Sequence, residues 1–174
     1  MIHVLASVKK FDKMIEKNVA NHHFSISPEI QFFFKWLPLL YVLIADMAGA
    51  KTRNRFIARI IIVAFSEIIL NSVVQPFKKL SRRRRPYSLF NFNSFPSGHT
   101  ATSFSGAEIL RYQVKEYSAC ISVGGYMIAL VTAALRLYER KHWISDIAAG
   151  AIIGIVSARL SQLIFDHVFD NRHV

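Results

Sequence analysis

The apolar positions of this chain fall into five long runs separated by short polar and mostly basic segments. A shorter amphipathic stretch precedes them. Between Val4 and Val19 the residues Val4, Leu5, Val8, Phe11, Ile15 and Val19 recur at helical spacing, while Lys9, Lys10, Lys13 and Lys17 fall largely on other faces. This pattern predicts a helix lying on a bilayer surface, the alternative being a helix packed on the rest of the domain. Ser27-Pro28-Glu29 then gives a helix start, with Ser as N-cap and Pro at the first helical position. The run that follows, to about Gly49, would be about 33 Å long as a helix and able to span a bilayer. Lys35 and Asp46 are expected near its ends.

The second run, Phe56 to Phe77, opens after the basic loop Lys51, Arg53, Arg55 and carries Glu67 near its middle, where a carboxylate needs a donor from a neighbouring helix. Pro96-Ser97-Gly98 reads as a turn that delivers a third helix, about His99 to Tyr112, rich in small residues suited to close helix contact. Glu108 in that helix is expected to face inward in a structural role. A polar turn, Arg111 to Tyr117, leads to a fourth run, Ser118 to Leu135. The fifth is Trp143 to Phe165, with Gly150 and Gly154 in a G-x-x-x-G arrangement. The expected fold is all-α: one membrane domain over 1–174, with about five transmembrane helices and an N-terminal interfacial segment over 1–26.

Composition narrows the class further. The 174 residues are 52% hydrophobic with a net charge of +11, which suits a partner that is a membrane or a nucleic acid, and the apolar runs select the membrane. Cys120 is the single cysteine, excludes an internal disulfide and is read as a packing residue. The N-terminus lacks a basic start followed by an apolar core, so no cleavable signal peptide is expected and insertion would rely on the first membrane helix. His22 and His23 are adjacent, but no carboxylate or cysteine neighbours them, and a metal reading is set aside. His167 and His173 lie in a polar tail that nothing marks as functional.

Chemistry concentrates between Lys78 and Asp146, in three clusters: KKLSRRRRP (Lys78 to Pro86), PSGH (Pro96 to His99) and RLYERKHWISD (Arg136 to Asp146). Lys78, Arg85 and Arg136 supply cations, and a phosphate monoester carries close to two negative charges that arginine forks and lysine point charges complement. Two histidines, His99 and His142, can act as nucleophile and as proton donor near neutral pH. His142 and Asp146 stand four apart, so on a helix the carboxylate can hold one ring nitrogen protonated and leave the other free to attack. His142 is thus the expected nucleophile. The amides at the start of the helix after Pro96-Ser97-Gly98 fall where an anion would sit. Three convergent cations would repel a divalent ion, so no cofactor and no metal are expected from His99, His142 and Asp146.

Lys78 with Arg85-Pro86 seven and eight residues later, Pro96-Ser97-Gly98-His99, and Arg136 with His142 six and Asp146 ten residues later together resemble the motifs of the type 2 phosphatidic acid phosphatase (PAP2) family. The resemblance implies a phosphohistidine on His142, oriented by Asp146, with His99 protonating the leaving group. It implies phosphate binding by Lys78, Arg85, Arg136, Ser97 and the Gly98 amide. By this spacing Arg85 is the inward arginine, and Arg82, Arg83 and Arg84 are expected to be solvated or on lipid headgroups. Tyr87 to Phe95, with aromatics alternating with polar residues, suits an interfacial loop at the site mouth. Leu135 departs from the family's usual serine before the third-motif arginine, which removes one polar contact, and the family commonly has six membrane helices.

The implied function is a metal-independent lipid phosphatase acting on phosphatidic acid, phosphatidylglycerol phosphate, undecaprenyl diphosphate or lipid A phosphate, with no nucleic acid as partner. A vanadium haloperoxidase has a similar site, but such relatives are soluble and larger. A noncatalytic anchor for anionic lipid would not require His99, His142 and Asp146 at that spacing. Counting Lys and Arg places the motif side in the cytoplasm, whereas the resemblance implies a bacterial cytoplasmic membrane with the site on the periplasmic face.

Overall fold

The structure, a computed structural model, describes residues 2–20, 26–47, 49–88, 90–114 and 118–169. His22, His23 and His173 lie outside them. Six helices follow in chain order: α1 (Ile2–Ala20), α2 (Pro28–Ile44), α3 (Phe56–Ser81), α4 (Gly98–Val114), α5 (Ala119–Tyr138) and α6 (Ile144–Phe169). No strand occurs among the described residues. Local chemistry sets several of the ends. Ser27 accepts the Ile30 N–H with Pro28 at the first helical position, and Ser118 accepts the Ile121 N–H at 3.3 Å. Arg82, in the left-handed region at φ 41°, ends α3.

Three of these helices, α3, α5 and α6, are long and apolar enough to cross a membrane. The other two of the five expected spans fall short for different reasons. α2 stops at Ile44 instead of continuing to Gly49, so its 17 residues reach only about 25 Å, and it contains Pro38. α4 is rich in Ser, Thr and Gly because it lies at the centre of the bundle, with every residue from Thr100 to Leu110 buried. A helix surrounded by other helices needs no apolar outer face.

The bundle is organised on α4, which packs against α2, α3, α5 and α6. Close approach rests on missing side chains. A Cβ on Gly150 would lie 2.5 Å from the Ser97 carbonyl oxygen, and one on Gly154 would lie 2.1 Å from that of Ala101, so α6 lies directly on the α4 backbone. Gly106 serves the α2 side, its Cβ position being 2.7 Å from the Leu39 nitrogen. Leu39, Val42, Ile62, Ile109, Leu110, Val114 and Ala158 fill the adjoining core.

Polar groups inside the bundle are paired across helices, as a low-dielectric interior demands. Ser66 and Ser105 share a 2.7 Å bond, Ser103 and Thr132 one of 3.1 Å, and the Ser161 hydroxyl donates to the Ile62 carbonyl. Glu108 faces inward as expected and accepts from Arg111, Tyr126 and Arg159, joining α4, α5 and α6. Glu67 lies within 3.4 Å of the Thr102 hydroxyl and the Asn71 amide, while its Oε1 has no hydrogen-bond partner among the described residues. Lys35 is not at a helix end: it is mid-α2, half-buried, with its ammonium 4.3 Å from the Trp36 ring centroid. Cys120 is exposed on α5 and not packed in the core.

Contacts at the two ends show that α2 to α6 alternate in direction. At one end the start of α2 meets the α5–α6 turn through Gln31 and Glu139. At the other, Asp46 after α2 pairs with Arg59 of α3, and the Asn54 amide donates to Gln113 of α4.

If the α4–α6 seam holds the bundle together, Gly154→Ala should destabilise the detergent-solubilised protein by about 1–3 kcal/mol, because the clash is with backbone that cannot rotate away. Gly124→Ala, where a Cβ meets nothing within 4 Å, is the control. Equal thermal unfolding midpoints for the two variants would contradict the seam.

Candidate active site

The alternation brings the end of α3, the start of α4, the end of α5 and the start of α6 to one end of the bundle, and with them all three sequence clusters. Between α3 and α4 the described residues 82–88 and 90–97 lie over this end and contain no strand. It is tied to the α5–α6 turn by Tyr87 N–H to Arg140 C=O at 3.1 Å and Trp143 Nε1–H to Arg84 C=O at 2.8 Å.

Lys78 and Arg85 converge on Asn93. The ammonium donates to the Asn93 carbonyl at 3.0 Å, and Arg85 Nε–H donates to its side-chain oxygen at 3.1 Å. Two like charges held this close raise each other's energy, and an anion between them would relieve it. Arg136 is almost fully buried and paired with Glu139, which also accepts from Gln31 and stands 3.4 Å from the Lys141 ammonium. Lys78, Arg85, Arg136, His99 and His142 form one electrostatic cluster: Lys78 and His142 each feel Arg85, and His99 feels Arg136 and His142.

His142 is 3% exposed, and its Nδ1 faces Asp146 Oδ2 at 3.7 Å, slightly beyond hydrogen-bond length and with no other partner among the described residues. Asp146 is fully buried and heavily held. Arg83 and Ser94 donate side-chain hydrogen bonds to it, and the Trp143 N–H reaches Oδ2 at 2.9 Å. Removal from water pushes the His142 imidazole down to about 4, with Asp146 opposing that shift and the charges of Lys78 and Arg85 adding to it. A neutral ring is the nucleophilic form.

At the start of α4, Ser97 is buried, its hydroxyl 2.9 Å from that of Thr100 and its N–H donated to the Asp146 carbonyl at 3.0 Å. Gly98 sits beside Lys78, its Cβ position 3.9 Å from the lysine Cε. His99 is half-buried on the first turn.

Four further residues belong to this constellation. Arg83, expected among solvated arginines, is instead ion-paired with Asp146 and with Asp12 of α1. Glu139 was a spacer inside a motif, and Asn93 and Ser94 were loop residues. Arg82, in the left-handed region, ends α3 just before Arg83, and no residue-type signal distinguishes Arg83 from its neighbours in the tract.

The described residues thus form a helical bundle with two histidines, a buried carboxylate and several cations gathered at one end. The model of the PAP2 superfamily matches residues 59–169. The chain belongs to that superfamily. It is 30% identical over 171 residues to a lipid A 1-phosphatase of Porphyromonas gingivalis, a match that covers 95% of this chain and 38% of that protein. It is also 28% identical over 144 residues to the bacitracin transport permease protein BcrC of Bacillus licheniformis, covering 76% of this chain and 68% of that one. The chain thus spans well under half the length of the first of these relatives. Among solved structures, LpxE of Aquifex aeolicus superposes with a TM-score of 0.62 at 21% identity, over 88% of this chain and 93% of that one. A transmembrane PAP2-type phosphatidylglycerolphosphate phosphatase of Bacillus subtilis superposes with a TM-score of 0.66 at 17% identity, over 93% and 88%. These likenesses show the shared fold.

The depressed His142 value means a ring that stays neutral through the whole neutral range and protonates only near pH 4. Ring-nitrogen NMR of histidine-labelled protein in detergent, with the signal assigned by its loss in His142→Asn, should give that midpoint. Titration at the ordinary histidine value of 6.5 would contradict the site's desolvation.

Proposed function

We propose that this protein is a phosphatase of the bacterial cytoplasmic membrane that hydrolyses the phosphate monoester or diphosphate of a lipid through a phosphohistidine on His142. The observation that carries the reading is the His142–Asp146 pair set among Lys78, Arg85 and Arg136. Asp146 faces Nδ1 of His142 at 3.7 Å, which leaves Nε2 as the attacking atom. As the N–P bond forms and the P–O bond to the lipid breaks, His99, which carries a proton once the bound substrate's negative charge offsets the surrounding cations, gives that proton to the departing oxygen. Water then attacks the phosphohistidine, His99 takes a proton from it, and the P–N bond breaks to release inorganic phosphate. Lys78, Arg85 and Arg136 neutralise the charge on the transferring group, helped by the Gly98 amide at the start of α4. Ser97, whose hydroxyl and amide are engaged within the protein, acts by shaping the turn that presents Gly98 and His99.

The relatives support a lipid as the substrate, and lipid A phosphate, phosphatidylglycerol phosphate, phosphatidic acid and undecaprenyl diphosphate all offer the required chemistry. In this reading α2 to α6 each cross the bilayer, with the short α2 and the polar α4 carried by their neighbours, and the whole chain acts as one domain. The site opens at headgroup depth on the periplasmic face, where the surplus of cations binds substrate and does not direct insertion.

His142→Ala should abolish turnover and the acid-labile phosphoenzyme trapped from labelled substrate. Phosphoenzyme that persists in this variant would refute the assignment.

Side can be tested in a Cys120→Ser background with single cysteines at Tyr87 and Arg55, exposed residues at opposite ends of the bundle. In intact cells an impermeant thiol reagent should label the Tyr87 position and spare the Arg55 position. The reverse pattern would place the site in the cytoplasm.

A further inference from the structure

α1 meets the bundle through an acidic pair, beside which Val8 and Phe11 line a shallow apolar cavity with Ile144 and Ala148 of α6. Asp12 and Glu16, one turn apart, face inward, while Val8, Phe11 and Met14 remain exposed alongside Lys9, Lys10, Lys13 and Lys17. Glu16 pairs with Arg140 in the α5–α6 turn. Asp12 goes deeper: it is 2% exposed, pairs with Arg83, accepts the Ser145 N–H at 3.0 Å and accepts the Ser145 hydroxyl at 2.7 Å.

Arg83 is a bridge with two occupied ends. One guanidinium nitrogen, NH2, serves Asp12, while the other, NH1, donates to Asp146 Oδ1 at 2.6 Å and to the Ser145 hydroxyl at 2.7 Å. The guanidinium carbon also lies 5.5 Å from the Trp143 ring centroid, so the group is fixed in plane as well as in position. A buried carboxylate tied by a forked cation cannot rotate its oxygens freely. Arg83 holds Oδ1, while Oδ2, the oxygen that faces His142, accepts from the Ser94 hydroxyl and the Trp143 N–H, so Arg83 fixes the carboxylate from its far side.

We propose that α1 is a working part of the active site, in which Asp12 acts through Arg83 as a positioning residue that fixes the Asp146 carboxylate against His142. The inference rests on the phosphohistidine reading above. It makes the N-terminal helix a condition for rapid phosphoryl transfer, whereas a helix that merely anchors the protein would leave the chemistry alone. The Glu16–Arg140 pair supplies the comparison, because it docks the same helix without touching Arg83 or Asp146.

The test is steady-state kinetics in mixed micelles of detergent and a long-chain phosphatidic acid, with the full-length protein. Asp12→Asn should lower kcat about tenfold, the scale of one misplaced hydrogen bond in a transition state, with KM little changed. Arg83→Met should lose more, and Arg83→Lys should recover part of it, since lysine restores the charge without the fork. The double variant Asp12→Asn with Arg83→Met should be no worse than Arg83→Met alone, as expected of residues acting through one another. Glu16→Gln should keep kcat while lowering the thermal midpoint. Wild-type kcat in Asp12→Asn, a change confined to KM, additive losses in the double variant, or an equal kcat loss in Glu16→Gln would each overturn the inference and leave the phosphatase reading standing. A wild-type protein that releases no phosphate and takes up no phosphoryl group would overturn both together.

Discussion

The contact on which this structure depends is the backbone-to-backbone approach of α4 and α6. Gly150 and Gly154 let α6 lie where any side chain would collide with the carbonyls of Ser97 and Ala101. The same approach lets the Ser97 N–H reach the Asp146 carbonyl at 3.0 Å. The first turn of α4 carries His99, and the first turn of α6 carries Asp146 with His142 just before it. A seam made of missing methyl groups therefore sets the spacing between the two halves of the candidate catalytic machinery. In a membrane, where lipid tails are as apolar as leucine, such packing and interhelical hydrogen bonds carry most of the association.

Charge is the second constraint. The site end gathers Lys78, Arg83, Arg85, Arg136, Arg140 and Lys141 around few acids, and each buried acid is shared. Asp146 holds Arg83 and faces His142, Glu139 holds Arg136 and Lys141, and Asp12 holds Arg83 from the other side. Lys78 and Arg85, by contrast, hydrogen-bond through their side chains to the neutral oxygens of Asn93. The surplus positive charge is thus concentrated where those two side chains converge, which is the electrostatic signature of an anion site. Burial of so many ions is costly unless they are paired, and sharing gives each arginine a fixed orientation.

Much of this was legible in the sequence. Periodicity located the helices to within a few residues, Ser27-Pro28 and Ser118 mark two of their starts, and the small residues of α4 and α6 signal a close seam. The motif spacing brought Lys78, Arg85, His99, Arg136, His142 and Asp146 to one end, and the structure puts them there. What escaped did so for identifiable reasons. Four consecutive arginines have one chemistry, and no residue-type signal assigns Arg83 to Asp146. Asp12 was hidden by the lysines around it, since Lys9 and Lys13 each stand three residues before one of the acids and so share their side of the helix. Among the described residues α3, α5 and α6 have the length and hydropathy of a span, whereas α4, enclosed by other helices, has no reason to be apolar and α2 ends early at Ile44.

The central claim is that a phosphate-holding cluster at the end of a membrane bundle works on lipids whose chains stay in the bilayer. Each buried methylene contributes about 0.8 kcal/mol to partitioning, so chain length should concentrate substrate at a site placed at headgroup depth. The most direct measurement is kcat/KM for phosphate release from a long-chain lipid phosphate and from glycerol phosphate, with the purified protein in the same detergent. The account predicts a ratio of roughly a hundredfold or more in favour of the lipid. Comparable efficiency on the two would contradict it and point to a phosphatase of soluble esters.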